Sequence, residues 1–307
     1  VNVAAVDCGT NSTRLLIADA QGRSLVREMR ITRLGENVDR TGALGDAALA
    51  RNFSVLEQYG AMMRDYEVTR AVLVATSAAR DASNGAAFLE RAGLLTGAEV
   101  TLLSGDEEAA LSYYGATADL QPTPLPTMIV DIGGGSTELA ALVGEHLVSH
   151  SMQMGCVRVT ERALGAGVVT PDTAHAAWAM IGAELDAAFV AQPVLETLVG
   201  ACRIVGLAGT VSTLAQLVAG LAAYNREAVH HRHLDLNDVV RWRVLLSEEP
   251  PIDRLRHPGM VRGREDVLVA GLFILEAVLR RFDAPLLLSS ENDILDGLIM
   301  RVLGSLP

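Results

Sequence analysis

The 307-residue chain contains no lysine; all 25 of its cations are arginine. That absence excludes a Walker A loop, whose lysine reaches the β- and γ-phosphates, and any lysine Schiff base. Cysteine is scarce: Cys8, Cys156 and Cys202 are odd in number, far apart and without a CxxC pair. This argues against a disulfide scaffold and for a reduced, cytoplasmic chain. The greasiest run, residues 267–279, carries Glu276 and is too short to span a bilayer. No secretory leader is read, because residues 1–6 run straight into an acidic motif. Positive charge is in deficit, with 25 cations against 37 carboxylates for a net charge of −12. Nucleic acid and anionic membranes are therefore not expected as partners.

What the chain does have is apolar mass and glycine: 50% of its residues are hydrophobic and 28 are glycine. That composition supports a sizeable core, and the length favours two domains. Residues 1–6, 15–18 and 24–31 read as strands, with breaks at Gly9 and Gln21-Gly22. A helix is expected over 46–66, where Ala48, Leu49, Phe53, Leu56, Tyr59 and Met63 recur mostly every three or four residues. A strand at 71–75, a helix at 85–95, a strand at 99–103 and a helix at 105–119 follow. Three prolines within 121–126 mark a domain break. The expected domains are 1–121 and 122–307, with a last helix near 291–307 packing back on the first. Beyond the break come strands at 127–130, 138–143 and 146–154, helices at 159–164 and 171–191, a strand at 203–206 and a mostly helical tail. Strands first and helices later, twice over, indicate an α/β fold in two halves.

An internal repeat supports the division. Asp7-Cys8-Gly9-Thr10-Asn11-Ser12-Thr13 aligns with Asp131-Ile132-Gly133-Gly134-Gly135-Ser136-Thr137 as D-x-G-x-x-S-T, each copy between two apolar strands. A glycine-rich turn between strands can expose several backbone N–H groups and let an anion approach closely. An acidic residue ending the preceding strand suits a hydrated metal ion. A third cluster, Ser104-Gly105-Asp106-Glu107-Glu108, has the spacing of a capping box between Ser104 and Glu107. Asp106 and Glu108 share that first turn, where negative charge offsets the helix dipole.

Two such turns on two similar domains resemble the actin / heat-shock ATPase / sugar-kinase superfamily. Within it, five segments in order resemble the exopolyphosphatase / guanosine pentaphosphate phosphohydrolase family. They are Val6-Asp7-Cys8-Gly9-Thr10-Asn11-Ser12, Ala75-Thr76-Ser77-Ala78-Ala79-Arg80, Ser104-Gly105-Asp106-Glu107-Glu108-Ala109, Asp131-Ile132-Gly133-Gly134-Gly135-Ser136-Thr137-Glu138 and Gly155-Cys156-Val157-Arg158. The resemblance extends over nearly the whole chain and is to the short, two-domain type. It implies two tandem ribonuclease-H-like domains with an interdomain cleft, possible dimerisation, and release of terminal phosphate from inorganic polyphosphate. Guanosine pentaphosphate hydrolysis, a non-catalytic phosphate-chain sensor and a small-molecule kinase are the rival readings.

The resemblance also implies roles. Glu108 would be the general base, with Glu107 structural. Gly9, Thr10, Asn11, Ser12, Gly133, Gly134, Gly135 and Ser136 would cradle phosphates. Arg80 and Arg158 would supply forked donors to phosphate oxygens. Asp7, Asp131 and Glu138 would hold Mg²⁺ or Mn²⁺. Gly206-Leu207-Ala208-Gly209-Thr210 is similar to a superfamily turn near bound nucleotide, with alanine in place of a usual glycine. The run Val229-His230-His231-Arg232-His233 reads as a solvated loop, since nothing near it in sequence completes a metal-ligand set. With no lysine and only the Arg280-Arg281 pair adjacent, the chain offers no extended positive track, so short oligophosphates are the expected substrates.

Overall fold

The computed structural model describes residues 1–306. The chain forms two compact units: Val1–Ala118 together with the segment from Asp293 onward, and Asp119–Asn292. The first unit holds β1 (Asn2–Cys8), β2 (Ser12–Ala18), β3 (Ser24–Ile31), β4 (Val68–Ala75) and β5 (Glu99–Leu102) in the order β3-β2-β1-β4-β5. The second holds β6 (Thr127–Ile132), β7 (Thr137–Val143), β8 (His146–Met152), β9 (Arg203–Leu207), β10 (His233–Asp235) and β11 (Leu286–Ser289) in the order β10-β11-β9-β6-β7-β8. Strand for strand, β8-β7-β6-β9-β11 repeats the first sheet: an antiparallel meander joined to parallel strands. β10 adds an antiparallel edge strand. The chain beyond β9 is mostly helical, as expected, but adds β10 and β11, which at three and four residues are too short to show a period in sequence.

Alternation along β1 explains the first core. Ala4, Val6 and Cys8 enter one cluster with Leu15, Ile17, Tyr59 and Phe88. Val3 and Ala5 enter the other, with Leu16, Leu111, Ile294 and Leu298. Period 2 therefore sends Asp7 to the face covered by the Ile294–Leu303 helix. That helix meets the Gly105–Thr117 helix backbone to backbone. A Cβ on Gly115 would stand 1.9 Å from the Asp293 carbonyl, and one on Gly297 would stand 2.1 Å from the Leu111 carbonyl. Asp293 caps the last helix by accepting from the Leu295 amide at 2.9 Å. The same Asp293 accepts from Arg14, and Arg27 reaches Asp296 at 2.5 Å. Replacing Gly297 by Ala is expected to cost about 1–3 kcal/mol, the range for overpacking a tight contact. Urea unfolding reads this directly; unchanged stability would show that the two helices can move apart.

In the second unit the Leu268–Arg281 helix is buried on almost every side, which is why its sequence reads as one apolar run. Its buried Glu276 is paired twice, with Arg243 at 2.5 Å and Arg280 at 2.8 Å, which answers the desolvation of its charge. Among the described residues no helix is long and apolar enough to cross a membrane.

Candidate active site

The two repeat turns are alike in structure as well as in sequence. Gly9 N–H donates to the Ser12 carbonyl at 3.0 Å, and Gly133 N–H donates to the Ser136 carbonyl at 3.0 Å. A Cβ at either glycine would lie 3.2 Å from that carbonyl. Turn carbonyls, which would repel an anion, are engaged by the segment after the third strand of each sheet. In the second unit Gly133 O accepts from Cys156 N at 2.9 Å, and Gly134 O accepts from Val157 N at 2.9 Å and Arg158 N at 3.1 Å. Gly135 O takes Arg158 Nε at 2.7 Å. A Cβ on Gly155 would sit 2.3 Å from the Gly134 carbonyl, so glycine is required for this approach. In the first turn Thr10 and Asn11 are buried, and the Asn11 Nδ2 donor is buried without a hydrogen-bond partner. An orphaned donor on such a turn suits an anionic ligand.

The hairpin registers place the acids. Asp7 lies directly opposite Arg14 across β1 and β2, whereas Asp131 lies opposite Glu138 across β6 and β7. The same repeat position is thus a cation in one unit and a carboxylate in the other. Arg14 gives Nε at 3.0 Å and Nη2 at 2.6 Å to Asp7 Oδ2, while Asp7 Oδ1 is buried with no hydrogen-bond partner. Burial raises the Asp7 carboxyl above its ordinary pKa, with Arg14 opposing. Asp131 and Glu138 are both buried, and Glu138 Oε1 accepts from Ser151 Oγ at 2.7 Å. Within the second unit the opposed buried carboxylates of Asp131 and Glu138, and within the first the orphaned Asp7 oxygen, are each hard oxygen donors of the kind that suits a divalent cation such as Mg²⁺ or Mn²⁺.

Glu107 and Glu108 separate cleanly. Glu107 closes the capping box: its amide donates to Ser104 Oγ at 3.2 Å and its carboxylate accepts from Ser104 N at 2.8 Å. Those bonds hold its carboxyl below the usual range. Glu108 reaches the short Ser77–Asp81 helix, its Oε2 3.5 Å from Arg80 Nη1. Arg80 is itself fixed by donating to the Leu103 carbonyl at 2.6 Å. The structure therefore brings Arg80 to Glu108.

Three features escaped the sequence reading. Arg14 is found only through the register. Arg264 packs against Gly209, where a Cβ would fall 1.2 Å from its guanidinium Nη1; Ala208 beside that glycine is left-handed at φ 63°. Asp119 meets the histidine run, with Oδ2 2.9 Å from His230 Nε2 and Oδ1 3.4 Å from His231 Nε2, so an acidic residue does reach this run from afar in sequence. A metal fits it poorly, because His230 Nδ1 accepts the Glu291 amide at 3.0 Å. That leaves the ring proton on Nε2, directed at Asp119, the reverse of a ligating histidine.

Two α/β units with one strand order, each carrying an acid-and-glycine hairpin turn, define the two-domain actin-like ATPase fold. The sequence model of the Ppx/GppA phosphatase family matches residues 16–306. The chain is 38% identical, over 98% of both sequences, to "Exopolyphosphatase 2" of Mycobacterium tuberculosis. It superposes on an exopolyphosphatase-like protein with TM-score 0.92 at 31% identity over 99% of each chain. On the Aquifex aeolicus member of the Ppx/GppA family the TM-score is 0.80 at 29% identity, over 99% of this chain and 98% of that one. The chain belongs to the Ppx/GppA phosphatase family.

Proposed function

We propose that this protein is a divalent-metal-dependent exopolyphosphatase that releases terminal orthophosphate from inorganic polyphosphate and prefers short chains. The observation that carries this reading is the division of labour at the start of the Gly105–Thr117 helix. Glu107 is consumed by the cap while Glu108 is presented beside an anchored arginine. A protein that only bound phosphate chains would need no such base. The M. tuberculosis relative's name supports the same activity.

In this reading the amides of residues 9–12 and 133–136 take phosphate oxygens, and Arg158, held on Gly135, adds a forked donor. Glu108 accepts a proton from the attacking water as its oxygen bonds the terminal phosphorus. The bridging P–O bond breaks, and the electron pair leaves with the shortened chain. The carboxylates that would hold a metal are Asp131 with Glu138 in the second unit and Asp7, through its inner oxygen, in the first; a bound metal would neutralise charge on the phosphate oxygens. A cytoplasmic location agrees with three unpaired thiols; assembly as a homodimer rests on the family resemblance and is read by sedimentation.

Phosphate release measured in parallel on short polyphosphates, guanosine pentaphosphate and ATP tests the reading. Polyphosphate is expected to give the highest kcat/KM. Values per chain end should level off or fall with length, since Arg30 is paired with Glu28 at 2.5 Å and the net charge is −12. Efficiency that climbs steadily with length and collapses with salt would overturn the short-chain preference. Turnover of guanosine pentaphosphate alone would overturn the substrate.

A further inference from the structure

We propose that Arg33 binds a substrate phosphate at the first turn, as the counterpart in that unit of Arg158 in the other. The inference rests on the phosphohydrolase reading above and adds a residue to its site. After the third strand of each sheet, the chain curls back over its own glycine-type turn, and an arginine donates to the carbonyl of the turn's third residue, through its side-chain Nε in the second unit and through its backbone amide in the first. In the second unit that carbonyl is Gly135 O, which takes Arg158 Nε at 2.7 Å. In the first unit the matching carbonyl is Asn11 O, which takes Thr32 N at 3.1 Å and Arg33 N at 3.0 Å. The carbonyl before it is also held in both units, Gly134 O by Arg158 N and Thr10 O by Gly35 N at 2.8 Å. Gly35 packs so closely there that a Cβ would stand 2.3 Å from Thr10 Cγ2. In both units the backbone amide of an arginine is thus tied to a turn carbonyl, Arg33 N to Asn11 O and Arg158 N to Gly134 O.

The backbone of Arg33 adds an independent sign. Its φ is 51°, in the left-handed region that a residue with a Cβ enters only at a cost. Neighbours hold it there. Thr32 and Leu34, on either side, are fully buried. Thr32 Oγ1 donates to Thr13 Oγ1 at 2.9 Å, because Thr13 gives its own proton to Asn52 at 2.6 Å. Arg51 Nε donates to the Thr32 carbonyl at 2.9 Å. Folding alone would favour glycine at such a position. A long cation kept in a strained, over-determined loop on a phosphate-type turn points to a ligand contact. Glu67 and Asp283 are also left-handed, but neither is hydrogen-bonded to a repeat turn, so strain by itself does not single out Arg33; the attachment to Asn11 does.

Arg33→Gly and Arg33→Gln, beside wild type, test this by urea unfolding and by kcat and KM on a short polyphosphate at two salt concentrations. Arg33→Gly should be at least as stable as wild type, because the strain goes. Its KM should rise about tenfold or more, kcat should change by less than about threefold, and the salt dependence of kcat/KM should weaken. Arg33→Gln keeps the arm without the charge and should show the same rise in KM. Unchanged KM in both variants with an active wild type would overturn the proposal. So would a loss in Arg33→Gly that tracks lowered stability while Arg33→Gln behaves as wild type. Wild-type protein that releases no phosphate from polyphosphate would overturn the phosphohydrolase reading, and this proposal with it.

Discussion

Glu108→Gln will leave the protein folded and able to bind polyphosphate, and will lower its turnover by about 10²–10⁴-fold, the span of a positioned general base. The amide keeps the shape of the side chain and its approach to Arg80, 3.5 Å away in the native protein, but cannot accept the water proton. KM should change little, because water rather than phosphate is the partner that is lost. The neighbouring Glu107→Gln variant supplies the contrast. Its carboxylate accepts from the Ser104 amide at 2.8 Å and serves the helix cap, so it should cost about 1 kcal/mol or less and leave kcat near wild type. Single-turnover phosphate release with urea titration of both variants separates the two roles. If Glu107→Gln loses rate and Glu108→Gln does not, the assignment is inverted.

The capping role of Glu107 was legible in sequence because a capping box is local: three residues of spacing decide it, and Ser104 and Glu107 close it as that spacing requires; a role for Glu108 came only with the family resemblance. The D-x-G-x-x-S-T repeat was legible for the same reason, and the two turns it marks close with the same hydrogen bond. What could not be read is whatever depends on contacts distant along the chain. Asp293 stands 279 residues from the Arg14 that holds it, and Asp119 stands 111 residues from His230. The histidine run consequently read as a solvated loop, whereas His230 and His231 stack with ring centroids 3.8 Å apart beside that aspartate. The left-handed backbone at Arg33 was hidden for a different reason. Nothing in Thr32-Arg33-Leu34 signals a positive φ, which is imposed by the hydrogen bonds to Asn11.

Asp131→Asn and Asp7→Asn, formally the same change at the same position of the repeat, should act in opposite directions on the metal-free protein. Asp131 is directly across from Glu138 on one face of an antiparallel pair, and like charges so placed destabilise each other when no cation lies between them. Removing one of them should leave the metal-free melting temperature unchanged or raise it, and should raise the Mg²⁺ concentration for half-maximal activity about tenfold or more. The Mg²⁺-induced rise in melting temperature should shrink with it, since stabilisation by a bound ion follows its affinity. Asp7 instead faces Arg14, which binds it at 2.6 Å and 3.0 Å. Neutralising Asp7 takes one partner from Arg14, but Arg14 retains Asp293 and the substitution relieves the burial that disfavours the Asp7 charge, so the loss should stay well below the 3–5 kcal/mol of a fully broken buried pair, at about 1 kcal/mol. Asp7→Asn should therefore melt lower without metal, with a smaller change in the Mg²⁺ requirement than Asp131→Asn. Thermal melts with and without Mg²⁺, run beside activity titrations, measure both effects. Equal shifts in the Mg²⁺ requirement would show that Arg14 does not set Asp7 apart from Asp131; a larger shift for Asp7→Asn would mean that Arg14 does not neutralise its partner as the register indicates.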